Sequence, residues 1–356
     1  MHKPLTIHFL CPGDINSLTG SHIFTHRFAE GLKKKGHQIT IHQLPNDFPF
    51  PSDSSLLTTQ NILNSISVSD TIILDNLISS SIPGILKEFA HRNHLVSLFH
   101  LPLSIYPGFS IYQREMLAFS ESETMEYIHH ILAVGPFIEK FLLQQGIDKK
   151  KIIVTFPGVD DCPQKKSYPS KPRRLLSVAN LIRCKGHVTL VKALSAFKNI
   201  NWVLDCYGDL DLDRQYLGDL QALIRRSNLQ DKIFIHGTIS GKALSDAYLN
   251  ADLFIHPSEF ETYGIALTEA LAHGIPVVTS TGGGTLSTVP ASMGKFFKPD
   301  DVYGLGTILE VVFENTEIYK KLCSEASRYK NQSITWQKSI DAFDLVIRNL
   351  EPIQKK

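Results

Sequence analysis

Short apolar runs alternate with amphipathic stretches along the whole chain. In the first part, residues 5–11, 38–44, 71–76, 95–100, 130–134 and 152–156 read as strands. In the second, 174–179, 202–208, 233–237, 251–256, 277–278 and 293–298 do so. Most are nearly continuous in apolar residues, as a strand covered on both faces of a parallel sheet requires. Between them the period becomes helical. Residues 21–35 place Phe24, Phe28 and Leu32 on one face, and 82–92, 115–127, 136–145, 217–227 and 242–249 are further helices. Residues 46–55 read as a loop, and 104–113, with Tyr106, Phe109 and Tyr112, as an irregular aromatic segment. The strand–helix rhythm occurs twice, separated at 161–172 by a stretch of prolines and lysines. The pattern therefore predicts an α/β chain of two Rossmann-like domains, 1–160 and 173–332, with 161–172 as linker. An amphipathic helix carrying Trp336, Ile340, Phe343 and Ile347 closes the chain over 333–356.

Composition narrows the function classes. Of 356 residues, 43% are hydrophobic and 20% charged, which supplies a core for two domains. Lys plus Arg number 36 against 35 Asp plus Glu, and a net charge of +1 argues against bulk nucleic-acid binding. Short basic runs such as Lys33-Lys34-Lys35 read as solvated surface, with weak peripheral membrane contact by that run as the alternative. The five cysteines are scattered and form no C-x-x-C, which fits a reducing compartment and no disulfide framework or zinc site. Met1 to Ile7 lacks the apolar core of a signal peptide, and no run approaches the length of a membrane span. A cytoplasmic protein is expected.

Candidate chemistry concentrates in residues 257–278. A loop with Pro257, Ser258 and Glu261 precedes a helix holding Ile265, Leu267, Ala270 and Leu271, so Glu261 lies before the helix start and Glu269 within it. A helix N-terminus attracts phosphate, and at Tyr263, Gly264 and Ile265 backbone can come close to one. Flanking carboxylates repel the phosphate but accept hydrogen bonds from hydroxyls. A ligand with hydroxyls at both ends and a diphosphate between them, a nucleotide sugar, fits this arrangement. An ordinary strand–loop–helix with two surface acids fits the spacing equally. Elsewhere, His100 ends a strand, where ligands bind in open α/β sheets, and a purely structural strand-end histidine fits that position equally. His22 and His26 stand four apart on a helix, a metal-binding spacing without a third ligand nearby, and read as a plain helix face. Asp209-Leu210-Asp211 reads as a polar turn, and no cofactor or metal is expected.

The run P-S-x-F-E-x-Y-G-x-x-x-x-E-A-x-A-x-G-x-P-V-V over residues 257–278 resembles the signature of retaining glycosyltransferase family 4, which has the GT-B fold. The resemblance implies two Rossmann-like domains facing across a cleft, with the donor in the second and an acceptor (lipid, saccharide or small metabolite) in the first. It implies that Glu261 contacts the donor sugar, that Glu269 binds the ribose, and that backbone near Ile239 meets the base. Gly20 and Ser21 match a loop that approaches the donor phosphate, His100 an active-site histidine, and Lys185 a diphosphate ligand. The family's arginine position is Asn180 here, and Arg183 stands close enough to replace it. The Gly282-Gly283-Gly284 run matches a glycine pair near the ligand. A terminal helix starting near Trp336 crosses back to the first domain in the family; packing within the second is the alternative. The expected activity is retaining transfer from a nucleotide-diphosphate sugar, UDP favoured, to an acceptor. A nucleotide-sugar epimerase and a non-catalytic nucleotide-sugar-binding protein are the rivals, the latter motivated by Asn180.

Overall fold

The structure is a computed structural model, and it describes residues 4–349. The residues 1–3 of the expected leaderless start, and 350–356 at the end of the expected terminal helix, lie outside the described residues. The chain divides into two units: residues 1–158 with the chain from Trp336 onward, and Val159–Thr335.

The first unit holds β1 (Thr6–Pro12), β2 (Gln38–Leu44), β3 (Thr71–Asp75), β4 (His94–Phe99), β5 (His130–Val134) and β6 (Ile152–Thr155). They form one parallel sheet in the order β2-β1-β3-β4-β5-β6, with Ile7 of β1 level with Ile39 on one side and Thr71 on the other. Every residue of β4 is buried, the polar His94 and Ser97 included, as a central strand covered on both faces requires. The order reverses between β1 and β3, so the carboxyl ends of these strands open the crevice where such sheets bind ligands. Toward the amino ends lie paired histidines. His8 Nδ1 is 2.9 Å from His42 Nε2, His8 Nε2 is 3.2 Å from Asp70, and His94 Nε2 is 2.9 Å from His130 Nδ1.

The helix Gly20–Lys34 starts at Thr19, whose hydroxyl accepts the His22 N–H. His22 is buried, bonding Pro12 O through Nε2 at 2.8 Å and Ser17 through Nδ1. It pins the β1–helix loop, which replaces the plain helix face read from its spacing with His26. In the Lys33-Lys34-Lys35 run, Lys33 pairs with Glu30, and Lys35 with Asp341 and Asp344, so much of that charge is neutralised within the fold.

The last described helix, Trp336–Arg348, belongs to this unit. Trp336 and Phe343 set their ring edges against Phe28, with centroids 6.2 and 4.7 Å away. Gly31 is small because Ile340 lies where its Cβ would be, 2.5 Å from the built atom. Asp344 ties this helix to the turn before β2 by accepting from His37 at 2.7 Å, and it accepts from Arg348 of its own helix at 2.7 Å.

The second unit holds β7 (Arg174–Val178), β8 (Val203–Tyr207), β9 (Ile233–His236), β10 (Leu253–His256), β11 (Val277–Ser280) and β12 (Gly294–Phe297). Again one parallel sheet results, in the order β12-β11-β10-β7-β8-β9. Its core packs Leu175, Leu190, Leu194, Trp202 and Leu204 against Leu305, Leu309 and Phe313. The last three come from the helix Val302–Glu314, which, like Asp53–Ser65 and Thr316–Ala326, the apolar pattern left unassigned.

The segment read as a linker is built into one of the units. The first unit ends at Gly158, and 161–172 is strapped to the second unit. Lys165 donates its backbone N–H to His273 O and its ammonium to Asp252, at 2.9 and 2.8 Å, and the Tyr168 hydroxyl donates to Gly274 O at 2.6 Å. Prolines and lysines suit a free linker by composition, but here the lysine finds a buried carboxylate.

Candidate functional site

Two groups of candidate residues emerge, one in each unit. In the second unit they gather at the carboxyl end of β10. His256 ends that strand, Pro257–Gly264 forms the loop, and the helix Ile265–Ala272 follows. The glycines of the next loop hold this one in shape. A Cβ on Gly282 would fall 2.2 Å from Glu259 O, and one on Gly283 (φ +70°) 2.3 Å from Glu261 O. Gly284 N–H donates to Glu261 O at 2.6 Å. The close approach that these glycines permit is therefore to the Glu259–Glu261 backbone.

Glu261 is the hub. Lys185 Nζ lies 2.8 Å and His256 Nε2 3.1 Å from the same oxygen, Oε2. No described residue hydrogen-bonds Oε1. Burial pushes the Glu261 carboxyl up, but the Lys185 charge and the His256 hydrogen bond outweigh it and hold the group well below the carboxylate range. Burial likewise works against the Lys185 charge, and the Glu261 carboxylate overrides it and raises that ammonium. The site thus carries a fixed anion and a fixed cation in contact.

Lys185 closes a single 3-10 turn, Arg183–Lys185, and Gly186 (φ +71°) then opens the helix His187–Leu194. A side chain at Gly186 would strike Pro257 O, 2.1 Å from the built Cβ, so this glycine brings Lys185 up to the Glu261 loop. His187 is buried beneath, and neither ring nitrogen hydrogen-bonds another described residue. Burial first, then the His256 and Lys185 charges, push its imidazole down to about 3, so it adds no charge to the site. Arg183 is exposed, its guanidinium 5.8 Å from the Tyr216 ring centre. Asn180 accepts the Asp209 N–H at 3.4 Å, a structural task for the residue in the expected arginine's place. Asp209 itself accepts the Asp211 N–H at 2.8 Å, forming a local turn.

The helix Ile265–Ala272 has Gly264 (φ +81°) at its N-cap and no side-chain cap. Tyr263, Gly264 and Ile265 therefore lie at an N-terminus left to other acceptors. Glu269, one turn in, accepts the buried Tyr248 hydroxyl at 3.0 Å. Ile239, half-buried, lies in the irregular segment between β9 and the helix Gly241–Asn250, on the same carboxyl side of the sheet.

In the first unit, Ser21 and His100 meet at a residue that the motif reading passed over. Asp75 ends β3 and receives Ser21 Oγ at 2.5 Å and His100 Nε2 at 2.8 Å. Gly20 is the first residue of the neighbouring helix and is exposed. Asp75, Asn76, His187, His256 and Tyr248 are the residues that motif spacing missed. Asp75 and His256 end strands, the position that singled out His100, and that rule applied to every strand would have found both.

Residues 159–329 match the family described as Glycosyl transferases group 1. A GDP-mannose-dependent alpha-mannosyltransferase of Corynebacterium glutamicum is 28% identical over 256 residues, 70% of this chain and 58% of that protein. The chain spans only 20%, 50% and 58% of the length of three such curated relatives. Among solved structures, sucrose-phosphate synthase from Thermosynechococcus elongatus superposes with a TM-score of 0.80 at 18% identity, covering 97% of this chain and 99% of that one. HepE of Anabaena, in complex with UDP-glucose, gives 0.76 at 18% identity, covering 97% and 100%. The chain thus has the GT-B fold of these structures, and within its second unit residues 159–329 are similar to the group 1 glycosyl transferases.

Proposed function

We propose that the protein is a retaining glycosyltransferase that moves a sugar from a nucleotide diphosphate donor, UDP-sugar favoured, to a hydroxyl acceptor. The observation that carries this is the Lys185–Glu261–His256 contact beside the uncapped helix at Ile265. A carboxylate next to a diphosphate costs free energy unless a cation stands between, and Lys185 is held on Glu261 Oε2 to do that. The ammonium and the helix N–H groups then stabilise the departing diphosphate, whose charge grows in the transition state. Glu261 Oε1 receives a sugar hydroxyl, and Glu269 the ribose hydroxyls. The acceptor oxygen attacks the face that the diphosphate leaves and gives its proton to a diphosphate oxygen, so the configuration is retained. Arg183 supplies the second positive charge where Asn180 does not. The HepE complex with UDP-glucose supports UDP by likeness of fold. The five cysteines are buried and none forms a disulfide, which supports a reducing, cytoplasmic compartment. Among the described residues no helix is long and apolar enough to cross a membrane.

Calorimetric titration of UDP, GDP and their sugars, followed by NMR of the product anomer, tests the reading. Tight binding of one nucleotide series and a product of unchanged anomeric configuration are expected. Inversion, or binding of no nucleotide, would overturn it.

A further inference from the structure

Asp75 is 2% exposed, and its two oxygens have separate tasks. Oδ1 accepts the Leu77 N–H at 2.9 Å, while Oδ2 receives Ser21 Oγ and His100 Nε2. Burial pushes this carboxyl up, yet the His100 charge and the hydrogen bonds from His100, Ser21 and Leu77 bring it below its ordinary value. An ionised carboxylate only accepts, so Nε2 of His100 carries the hydrogen. The next residue fixes the backbone. Fully buried Asn76 accepts the N–H groups of His100 and Leu101 at 3.1 and 3.2 Å and donates to Leu101 O at 2.6 Å. The His100 side chain keeps 16% of its surface exposed, and no described residue hydrogen-bonds Nδ1.

We infer that Asp75 is a positioning residue: it locks His100 in the tautomer with hydrogen on Nε2, so that Nδ1 offers a lone pair and receives the hydrogen of a saccharide hydroxyl. The substrate class rests on the glycosyl-transfer reading; the tautomer does not. The contact is directional. A hydroxyl satisfies Nδ1, whereas a fluorine or ether oxygen at the same place sets two acceptors against each other. The Ser21 hydroxyl is engaged by Asp75, so an approach to phosphate here falls to the backbone of Gly20 and Ser21.

Imidazole 15N NMR on the intact chain reads the tautomer without any substrate, at alkaline pH where histidine is neutral. His100, assigned by loss of its signal in His100→Gln, should show a protonated Nε2 and a bare Nδ1. A wild-type ring with its hydrogen on Nδ1 would overturn the inference. In Asp75→Asn the amide can donate to Nε2, and the tautomer preference should be lost. UDP-glucose turnover in that variant should fall roughly 10- to 100-fold in kcat, with UDP affinity unchanged. Full turnover in a folded Asp75→Asn would equally overturn it. Deoxy and deoxyfluoro donors locate the hydroxyl, as the position whose removal costs nothing further in His100→Ala. Fluorine there should be as poor as hydrogen, and rescue by fluorine would make His100 a donor and refute the proposal. If no donor position couples to His100, the hydroxyl belongs to the second substrate, and the tautomer measurement decides.

Discussion

Glu261 takes both protein partners on one oxygen, and that geometry makes its ionisation a stability statement. Its folded-state pKa lies below the ordinary 4.5, so the pair's contribution is complete above that pH and is lost as pH falls toward the folded value. Lys185→Met should destabilise the ligand-free second unit by about 1–3 kcal/mol at neutral pH, because it strips a buried carboxylate of a charged partner. Chemical denaturation at a series of pH values should show the gap to wild type closing below the ordinary carboxylate range. A gap that widens on acidification would show that Lys185 acts on another group. Glu269 makes a different test. Glu269→Ala should weaken UDP binding by about 1–3 kcal/mol through lost ribose hydrogen bonds, read by calorimetry. Tyr248 then loses its acceptor at Glu269 Oε2, so the melting temperature should drop as well.

At the scale of the element, the helix Trp336–Arg348 covers the aromatic face of Gly20–Lys34. Phe343 is 2% exposed with its ring edge on Phe28, and Phe343→Ala should cost about 3–5 kcal/mol of first-unit stability, measured by denaturant melts. This helix was legible as an amphipathic stretch, because Trp336, Ile340, Phe343 and Ile347 recur at helical spacing. Its address followed only from the family resemblance and not from the spacing, because the residues that receive it (Phe28, Gly31, His37) lie some three hundred positions earlier, His37 307 before Asp344. The strands were legible for a local reason, since each buried strand of a parallel sheet must be apolar along its length. Helix ends set by caps were less so. The helix at Ile111–Tyr127 starts before the expected residue 115, since Ser110 and Gln113 form a capping box. The same division holds at the site. Glu261, Glu269 and Lys185 sit in linear patterns. Asp75 is 25 residues from the histidine it holds, and Lys165 is 87 from Asp252, the contact that turns an apparent linker into part of a domain.

For the molecule as a whole, each unit has its own sheet and core, and the residues proposed to bind the donor, Lys185, Glu261 and Glu269, all lie in the second. Scanning calorimetry with UDP at about 100 times Kd should therefore raise one transition, by about 2.7 kcal/mol, and leave the other in place. Acid should reach both units, since burial lowers His187 and His273 in the second as well. Burial, then a neighbouring histidine's charge, lowers His42 and His129 from the ordinary 6.5, so the unfolded chain binds more protons below that pH. First-unit stability should fall as pH drops below the ordinary histidine value, and replacing His42 with Gln should blunt that fall. The path of the chain also fixes an order of events in synthesis. A ribosome finishes the second unit, Val159–Thr335, before it has made the helix that completes the first. Until Trp336–Arg348 emerges, Phe24 and Phe28 have no cover from it, so the first unit waits as a nascent intermediate with an open aromatic groove. Chains stalled before residue 336 should hold a protease-resistant second unit beside a protease-sensitive first, and should recruit holdase chaperones that the released protein does not.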